Sequence, residues 1–198
     1  MPEKLFFELD STKKDRITEE SLKEFAEYGY ENSSTNRIVK NCGISKGSLF
    51  KYFESKQDLY FYLIDTVAAE MAQELAGGAE LPVNLTDRIL TYSALEISWY
   101  IDNPIKGKFM IGIASERGDI YNSLIERYGS QRTDIYNALL EDADMSDLHH
   151  DRSDVLTVIK WVLEGFKRDF SNNNDAEKIK DEYISQLKKY MDILKNGL

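Results

Sequence analysis

Residues 33–56 read SSTNRIVKNCGISKGSLFKYFESK, and this stretch predicts two short helices joined by a tight turn. Ser34 precedes a helical run that ends at Gly43, a residue suited to the left-handed conformation of helix ends. Ser45 can cap a second helix over residues 46–52. Two short helices connected in this way are typical of a helix-turn-helix, whose second helix can lie in the major groove of DNA.

The outward face of the second helix carries groups that suit contact with DNA. A glycine lets a helix approach DNA closely, and Phe50 can meet a thymine methyl group. We expect base-edge contacts from Lys46, Ser48 and Phe50, and phosphate contacts from lysine and hydroxyl groups. The full set of predicted DNA-contacting residues is Ser34, Arg37, Lys46, Gly47, Ser48, Phe50, Lys51, Tyr52 and Lys56. An ordinary helical hairpin with a solvated basic face is the alternative interpretation.

The charge of the chain is unevenly distributed. The formal net charge is −10, yet residues 33–57 hold five lysines and arginines against the single carboxylate of Glu54, a local charge of +4. An acidic protein with one basic patch repels DNA everywhere except at that patch. This distribution favours a protein that binds DNA through one localised surface over a protein that coats nucleic acid non-specifically.

Residues 13–65 resemble the N-terminal domain of the TetR/AcrR family of transcriptional regulators. The matching elements are FAEYGYENSS, GISKGSLFKYF and SKQDL, in order and without gaps. The resemblance implies a repressor that binds an inverted-repeat operator as a homodimer and is released by a small-molecule effector. Arg37 departs from the family pattern, where an acidic residue is common, so this side chain could contact either a phosphate or a base.

The remaining sequence predicts an all-α fold. A three-helix DNA-binding domain over residues 1–56 precedes a larger helical effector-binding and dimerisation domain over residues 57–198. No strand pattern is present, and three prolines in 198 residues favour a compact helical protein. We expect the long helix over residues 56–76 to act as a lever between the domains.

The last helix carries an apolar seam at spacings of 4, 3 and 4 residues. Such a seam suits a helix–helix interface. Packing within one subunit would produce the same pattern, whereas the resemblance implies that two copies pair through their last two helices. The predicted dimer interface comprises Val155, Ile159, Val162, Tyr183, Leu187, Tyr190 and Leu194.

Aromatic residues at helical spacing in the larger domain suit a core. The resemblance also implies an effector cavity there, and such cavities are largely apolar with a few polar groups. The candidate lining residues are Tyr62, Met71, Tyr92, Trp99, Phe109, Met110, Tyr121 and Trp161. The carboxylates of Glu96 and Glu164 could face a cationic ligand or solvent.

We expect no cofactor, no metal and no enzymatic activity. The chain has no GxSxG, P-loop or GxGxxG motif, and His149 and His150 lie in a polar loop without a second ligand cluster. A redox switch at the single cysteine, Cys42, would lack a resolving partner. No apolar run approaches the roughly 20 residues that span a bilayer, and the N-terminus lacks the pattern of a secretory signal, so we expect a cytoplasmic protein.

Two other functions fit parts of this pattern. An activator, or a regulator without a small-molecule effector, would carry the same DNA-binding domain. A helical ligand- or protein-binding module that does not use DNA would retain the helix-turn-helix without needing its basic patch.

Overall fold

The computed structural model describes residues 2–77, 80–140, 142–146, 150–170 and 176–197, and within them the chain is all-α. The helices are α1 (Lys4–Phe7), α2 (Ser11–Asn32), α3 (Thr35–Cys42), α4 (Lys46–Tyr52), α5 (Lys56–Ala76), α6 (Leu85–Asp102), α7 (Pro104–Ile113), α8 (Gly118–Leu140), α9 (Arg152–Phe170) and α10 (Ala176–Gly197). The predicted all-α fold is confirmed. No helix in the described ranges is long and apolar enough to span a bilayer.

The chain divides into two compact units that do not follow the predicted boundary at residues 56 and 57. Unit 1 comprises Met1–Glu74 and Asn103–Tyr121, and unit 2 comprises Leu75–Asp102 and Asn122–Leu198. Helix α7 therefore belongs with the helix-turn-helix. It is held there because Phe109 packs edge-on against Tyr60, with ring centroids 5.4 Å apart, and Lys108 pairs with a carboxylate of α2.

The N-terminal helix α1 is short, but it supplies part of the core of unit 1. Phe6 is fully buried, and its ring contacts Phe53 and Tyr62 with centroids 4.8 and 5.1 Å away. The backbone N–H of Glu3 also donates to the carbonyl of Tyr52 at 2.8 Å. Helix α1 is thus fastened to the end of α4.

Helix α2 contains a sharp interruption at Gly29. Its φ of 67° and ψ of 178° are not helical, and helical residues continue beyond it to Asn32. The sequence predicts that the helix ends at Gly29, whereas the structure adds one further turn after a kink. Only glycine adopts this positive φ without steric strain.

Unit 2 has its own core, formed by helices α6, α9 and α10. The buried cluster comprises Leu85, Ile89, Ala143, Val155, Ile159, Leu163, Phe166, Tyr183, Leu187 and Met191. A short backbone pairing joins the start of α6 to the segment after α8, with Leu85 N–H donating to the Asp144 carbonyl at 3.0 Å.

Candidate nucleic-acid interface

The turn between α3 and α4 is built from one glycine and two serines. Gly43 ends α3 with a φ of 69°, and the Ile44 N–H donates to the Val39 carbonyl at 3.0 Å. Ser45 Oγ then accepts from the backbone N–H of Ser48 at 3.0 Å, and the two hydroxyl oxygens lie 2.8 Å apart. These bonds satisfy both helix ends and set α4 beside α3 as a helix-turn-helix.

The outward face of α4 combines positive charge with an apolar ring. Leu49 is buried, whereas Lys46, Phe50 and Lys51 are exposed. Within the described part of the chain, neither lysine has an ion-pair or hydrogen-bond partner. Both ammonium groups are therefore available to an external anion such as a phosphate.

Gly47 lies on the same face, and no contact among the described residues requires a glycine there. Its φ is not positive, and a Cβ atom placed on it would lie 3.9 Å from Ser45 Oγ, the nearest described atom outside its own helix backbone and chain neighbours. A glycine inside a helix costs about 0.5–1 kcal/mol of stability relative to alanine. The described contacts therefore do not explain this cost.

Ser34 has a structural role at the start of α3. Its Oγ accepts from the Arg37 backbone N–H at 3.4 Å, and its own N–H donates to the carboxylate of Glu24 at 2.7 Å. The hydroxyl keeps its proton for another acceptor, so a phosphate contact remains compatible with the cap.

Arg37 is engaged inside the protein, which argues against both contacts considered for it. Its Nε donates to both carboxylate oxygens of Glu24 at 2.8 and 3.0 Å, a terminal nitrogen donates to the Asn32 carbonyl at 2.9 Å, and its guanidinium lies 4.2 Å from the ring centroid of Tyr28. Glu24 is only 5% exposed, so its charge needs this partner. The hydrogen bond with Glu24 raises the pKa of the guanidinium.

Tyr52 does not face outward as predicted. Its side chain is 6% exposed and lies against Phe6, with ring centroids 6.2 Å apart. Helix α1 covers the end of α4, a contact that the helical pattern of α4 does not indicate. The tyrosine ring therefore belongs to the core of unit 1.

Lys56 is also drawn into the protein. Its ammonium donates to the backbone carbonyls of Glu31 and Ser33 at 3.3 and 3.1 Å and lies 4.4 Å from the ring centroid of Tyr30. Burial lowers the pKa of this ammonium. Its observed role is to satisfy carbonyls at the end of α2, which argues against the predicted phosphate contact.

Cys42 is buried in α3, and its thiol lies 3.8 Å from the carbonyl oxygen of Arg16. Burial raises the pKa of this thiol from 9.0 to about 11. The environment therefore disfavours the thiolate, which is the reactive form.

We expect Cys42 to react slowly with a disulfide reagent at pH 8 in the folded protein. A pKa raised from 9.0 to about 11 lowers the thiolate fraction about 100-fold relative to an ordinary cysteine, and burial slows access further. The thiolate favours the unfolded state, so stability from this group is complete below pH 9 and falls as pH rises towards 11. The measurement is the labelling rate with and without urea, and fast labelling of the folded protein would contradict it.

The eight candidate effector residues are divided between the two units. Tyr62, Met71, Phe109, Met110 and Tyr121 lie in unit 1, and Tyr92, Trp99 and Trp161 lie in unit 2. Tyr62 and Phe109 pack in the unit 1 core, whereas Tyr121 and Trp161 are exposed at 45% and 67%. Tyr92 and Trp99 lie on α6, where the buried carboxylate of Glu96 accepts from the Tyr100 hydroxyl at 3.0 Å.

Four of the seven predicted interface residues are buried within a single chain. Val155, Ile159, Tyr183 and Leu187 form part of the unit 2 core. The predicted 4-3-4 seam therefore marks packing inside one subunit at these positions, because α6 covers it. Among the described side chains of α9 and α10, the large apolar ones left exposed are Trp161, Tyr190 and Ile193, while Val162 and Leu194 are half-buried.

Two carboxylates at the α2–α3 junction were missed by sequence reasoning. Glu24 follows the buried Ser21 by one helical turn, a spacing that could have marked it as an inward residue. Glu116 is buried between α7 and α8, and its Oε1 accepts from the Tyr30 N–H at 2.8 Å. Nothing in the local sequence signals this second contact, which joins residues 86 positions apart.

The described residues contain no cluster of three His, Cys, Asp or Glu side chains that could hold a metal ion. His149 lies outside the described residues. The side chain of Glu164 is likewise outside them.

Comparison with known proteins matches the helix-turn-helix region specifically. The family model described as "Bacterial regulatory proteins, tetR family" matches residues 17–63. The HTH-type transcriptional regulators SAB2452 (strain bovine RF122 / ET3-1) and SAUSA300_2515 (strain USA300) of Staphylococcus aureus are 51% and 49% identical to this chain over 49 residues. That segment is 25% of this chain and 26% of each relative, so the match spans about a quarter of the length of these relatives.

Solved structures resemble this chain in fold beyond the helix-turn-helix region, over 90–100% of its length. A TetR family transcriptional regulator from Chloroflexus aurantiacus J-10-fl has a TM-score of 0.69 at 22% identity, covering 100% of this chain and 98% of its own. A TetR-like transcriptional regulator from Rhodococcus sp. RHA1 has a TM-score of 0.65 at 13% identity, covering 90% and 95%. Residues 17–63 thus match the TetR family model, and the chain shares its all-α fold with solved TetR family regulators.

Proposed function

We propose that the chain is a sequence-specific DNA-binding regulator of transcription, and most simply a repressor. Helix α4 enters the major groove, where Lys46, Ser48 and Phe50 reach base edges, and Lys51 and Ser34 contact phosphates. The support is the exposed cationic face of α4, together with the match of residues 17–63 to the TetR family model. Arg37, Tyr52 and Lys56 position this face from within the protein.

The single observation that carries the proposal is the unexplained glycine on α4. Gly47 weakens its helix, has no positive φ and, within the part of the chain that the structure describes, leaves room for a Cβ atom. A bare backbone at that position lets a large external surface come closer than a side chain would allow. The major groove of DNA is such a surface, because a recognition helix lies along the groove.

Gly47→Ala should therefore change stability and DNA binding in opposite directions. We expect unfolding to cost about 0.5–1 kcal/mol more, since alanine is the better helix former, and operator binding to weaken about 10-fold. The measurements are chemical unfolding and fluorescence anisotropy with a labelled duplex.

Gly112→Ala is the matched control for this change. Gly112 also lies in a helix of unit 1 with open space around its Cα, so alanine should stabilise α7 and leave DNA affinity unchanged. Equal DNA affinity of Gly47→Ala and the unaltered protein would contradict the close approach of α4.

We propose a homodimer as the operator-binding form. Two recognition helices related by a two-fold axis would enter successive major grooves about 34–36 Å apart. The exposed apolar side chains Trp161, Tyr190 and Ile193 on α9 and α10 are the surface we assign to the second copy. Selection of bound sequences from random DNA tests both claims, since a dimer should recover an inverted repeat and a monomer a single half-site.

Release by a small-molecule effector completes the proposal. Tyr92 and Trp99 on α6, next to the buried carboxylate of Glu96, remain the candidates for contacting it within unit 2. Coupling between effector and operator sites is typically about 1–3 kcal/mol, or 5–150-fold in DNA affinity. Titration of the protein–operator complex with candidate ligands measures this, and loss of repression in a reporter strain distinguishes a repressor from an activator.

A further inference from the structure

The carboxylate of Glu116 lies at the kink of α2, although Glu116 is distant from α2 in the sequence. The interruption at Gly29 removes Tyr30 from the regular helical pattern of α2. The Tyr30 N–H instead donates to Glu116 Oε1 at 2.8 Å. The kink thus depends on an acceptor that the α7–α8 connection supplies.

The same oxygen also accepts from α5. The hydroxyl of Tyr60 donates to Glu116 Oε1 at 3.1 Å, and both residues are buried. Tyr60 contacts the rings of Phe25 and Tyr30, with centroids 4.9 and 5.1 Å away. One carboxylate oxygen therefore ties together the α2 kink, helix α5 and the connection that follows α7.

The residues after the kink lead directly into the helix-turn-helix. Tyr30 is five residues before the first residue of α3, Thr35. The intervening segment is also held by Lys56, which donates to the carbonyls of Glu31 and Ser33. Glu24 holds it as well, since its carboxylate accepts from the Ser34 N–H at 2.7 Å.

We propose that Glu116 is a positioning residue for operator binding. Among the described residues, its carboxylate bonds to Tyr30 and Tyr60 rather than to a side chain of α4, but it fixes the segment from which α3 and α4 extend. Without it, a half-buried N–H and a buried hydroxyl lose this acceptor, and the α2–α3 junction can adopt other arrangements. The proposal rests on the DNA-binding function proposed above.

Comparison of Glu116→Ala with Glu116→Gln tests this. Glutamine keeps an acceptor oxygen for both donors, whereas alanine removes it. We expect Glu116→Ala to bind the selected operator about 10-fold more weakly, the order expected when hydrogen bonds to a buried charge are lost, and Glu116→Gln to remain within about 3-fold. Tyr60→Phe, which removes one donor, should fall between them.

Binding to a scrambled duplex separates positioning from simple destabilisation. All measurements are made on the whole 198-residue chain at a temperature where circular dichroism shows each variant folded. Since non-specific affinity depends on charge at the surface, Glu116→Ala should change it by no more than about 2-fold. An equal loss on operator and scrambled DNA, or no loss on either, would overturn the proposal.

Hydrogen exchange tests the positioning without DNA. Amides of residues 30–37 should exchange faster in Glu116→Ala than in the unaltered protein, with Glu116→Gln close to the latter. Unchanged exchange over residues 30–37 would refute the role of Glu116. Failure of the unaltered protein to bind any duplex would instead refute the DNA-binding function, and the exchange result would still decide the positional claim.

Discussion

Removing the ammonium groups of Lys46 and Lys51 together should weaken DNA binding about 100-fold at moderate salt. Both side chains are exposed on α4, and within the described residues neither is paired with a carboxylate. Each phosphate contact that is lost also removes counterion release, so the dependence of log affinity on log salt should become shallower by about one per contact. The measurement is anisotropy with a selected operator over a series of salt concentrations.

Lys56→Ala is the informative control for this double variant. Lys56 belongs to the same basic stretch of sequence, yet its ammonium is bonded to the Glu31 and Ser33 carbonyls. Its replacement should lower the stability of unit 1 and leave the salt slope nearly unchanged at temperatures where the protein is folded. A shallower slope in Lys56→Ala than in the Lys46 and Lys51 double variant would contradict this division of roles.

Phe6→Ala should destabilise the protein by about 3–5 kcal/mol, the usual cost of removing a buried phenylalanine ring. Phe6 is 0% exposed and contacts four aromatic rings, those of Phe7, Tyr52, Phe53 and Tyr62. The cavity would open between α1, the end of α4 and α5. Urea unfolding followed by circular dichroism measures the loss.

Its neighbour Phe7 provides a matched comparison. Phe7→Ala removes the same atoms from the same short helix, but Phe7 is 57% exposed. We expect a cost below about 1 kcal/mol, because little apolar surface is removed from water at this position. Similar costs for the two variants would show that α1 does not contribute to the core of unit 1.

Much of the fold could be predicted because its signals are local. The Ser45 cap, the left-handed Gly43 and the helical spacing of apolar residues each depend on a few neighbouring positions. The helix-turn-helix and most helix bounds follow from such signals. The N-terminal helix α1 lacks such a signal, since four residues carry too little periodicity to establish a helix or its partner.

The candidate DNA-binding residues divide according to what surrounds them. Lys46, Gly47, Phe50 and Lys51 face solvent, as an isolated helical pattern indicates. Arg37 and Lys56 have the same chemistry, but a buried carboxylate and two backbone carbonyls engage them. A sequence shows which groups carry charge, but whether that charge is already neutralised depends on residues distant in the chain.

The apolar seam of the last helix illustrates the same limit. Its spacing established that Tyr183 and Leu187 face another helix, but both intersubunit and intrasubunit packing satisfy that spacing. The fold of unit 2 places them in its own core.

The amino-acid sequence by itself determined the all-α architecture, the helix-turn-helix and the basic face of α4, because caps, turns and helical periodicity act between near neighbours. Only the tertiary structure decided that α7 belongs to unit 1 with the helix-turn-helix and that Glu24, Lys56 and Glu116 hold the α2–α3 junction. Those contacts join residues far apart in the chain, and they exist because buried charges and backbone groups must find partners wherever the fold brings them.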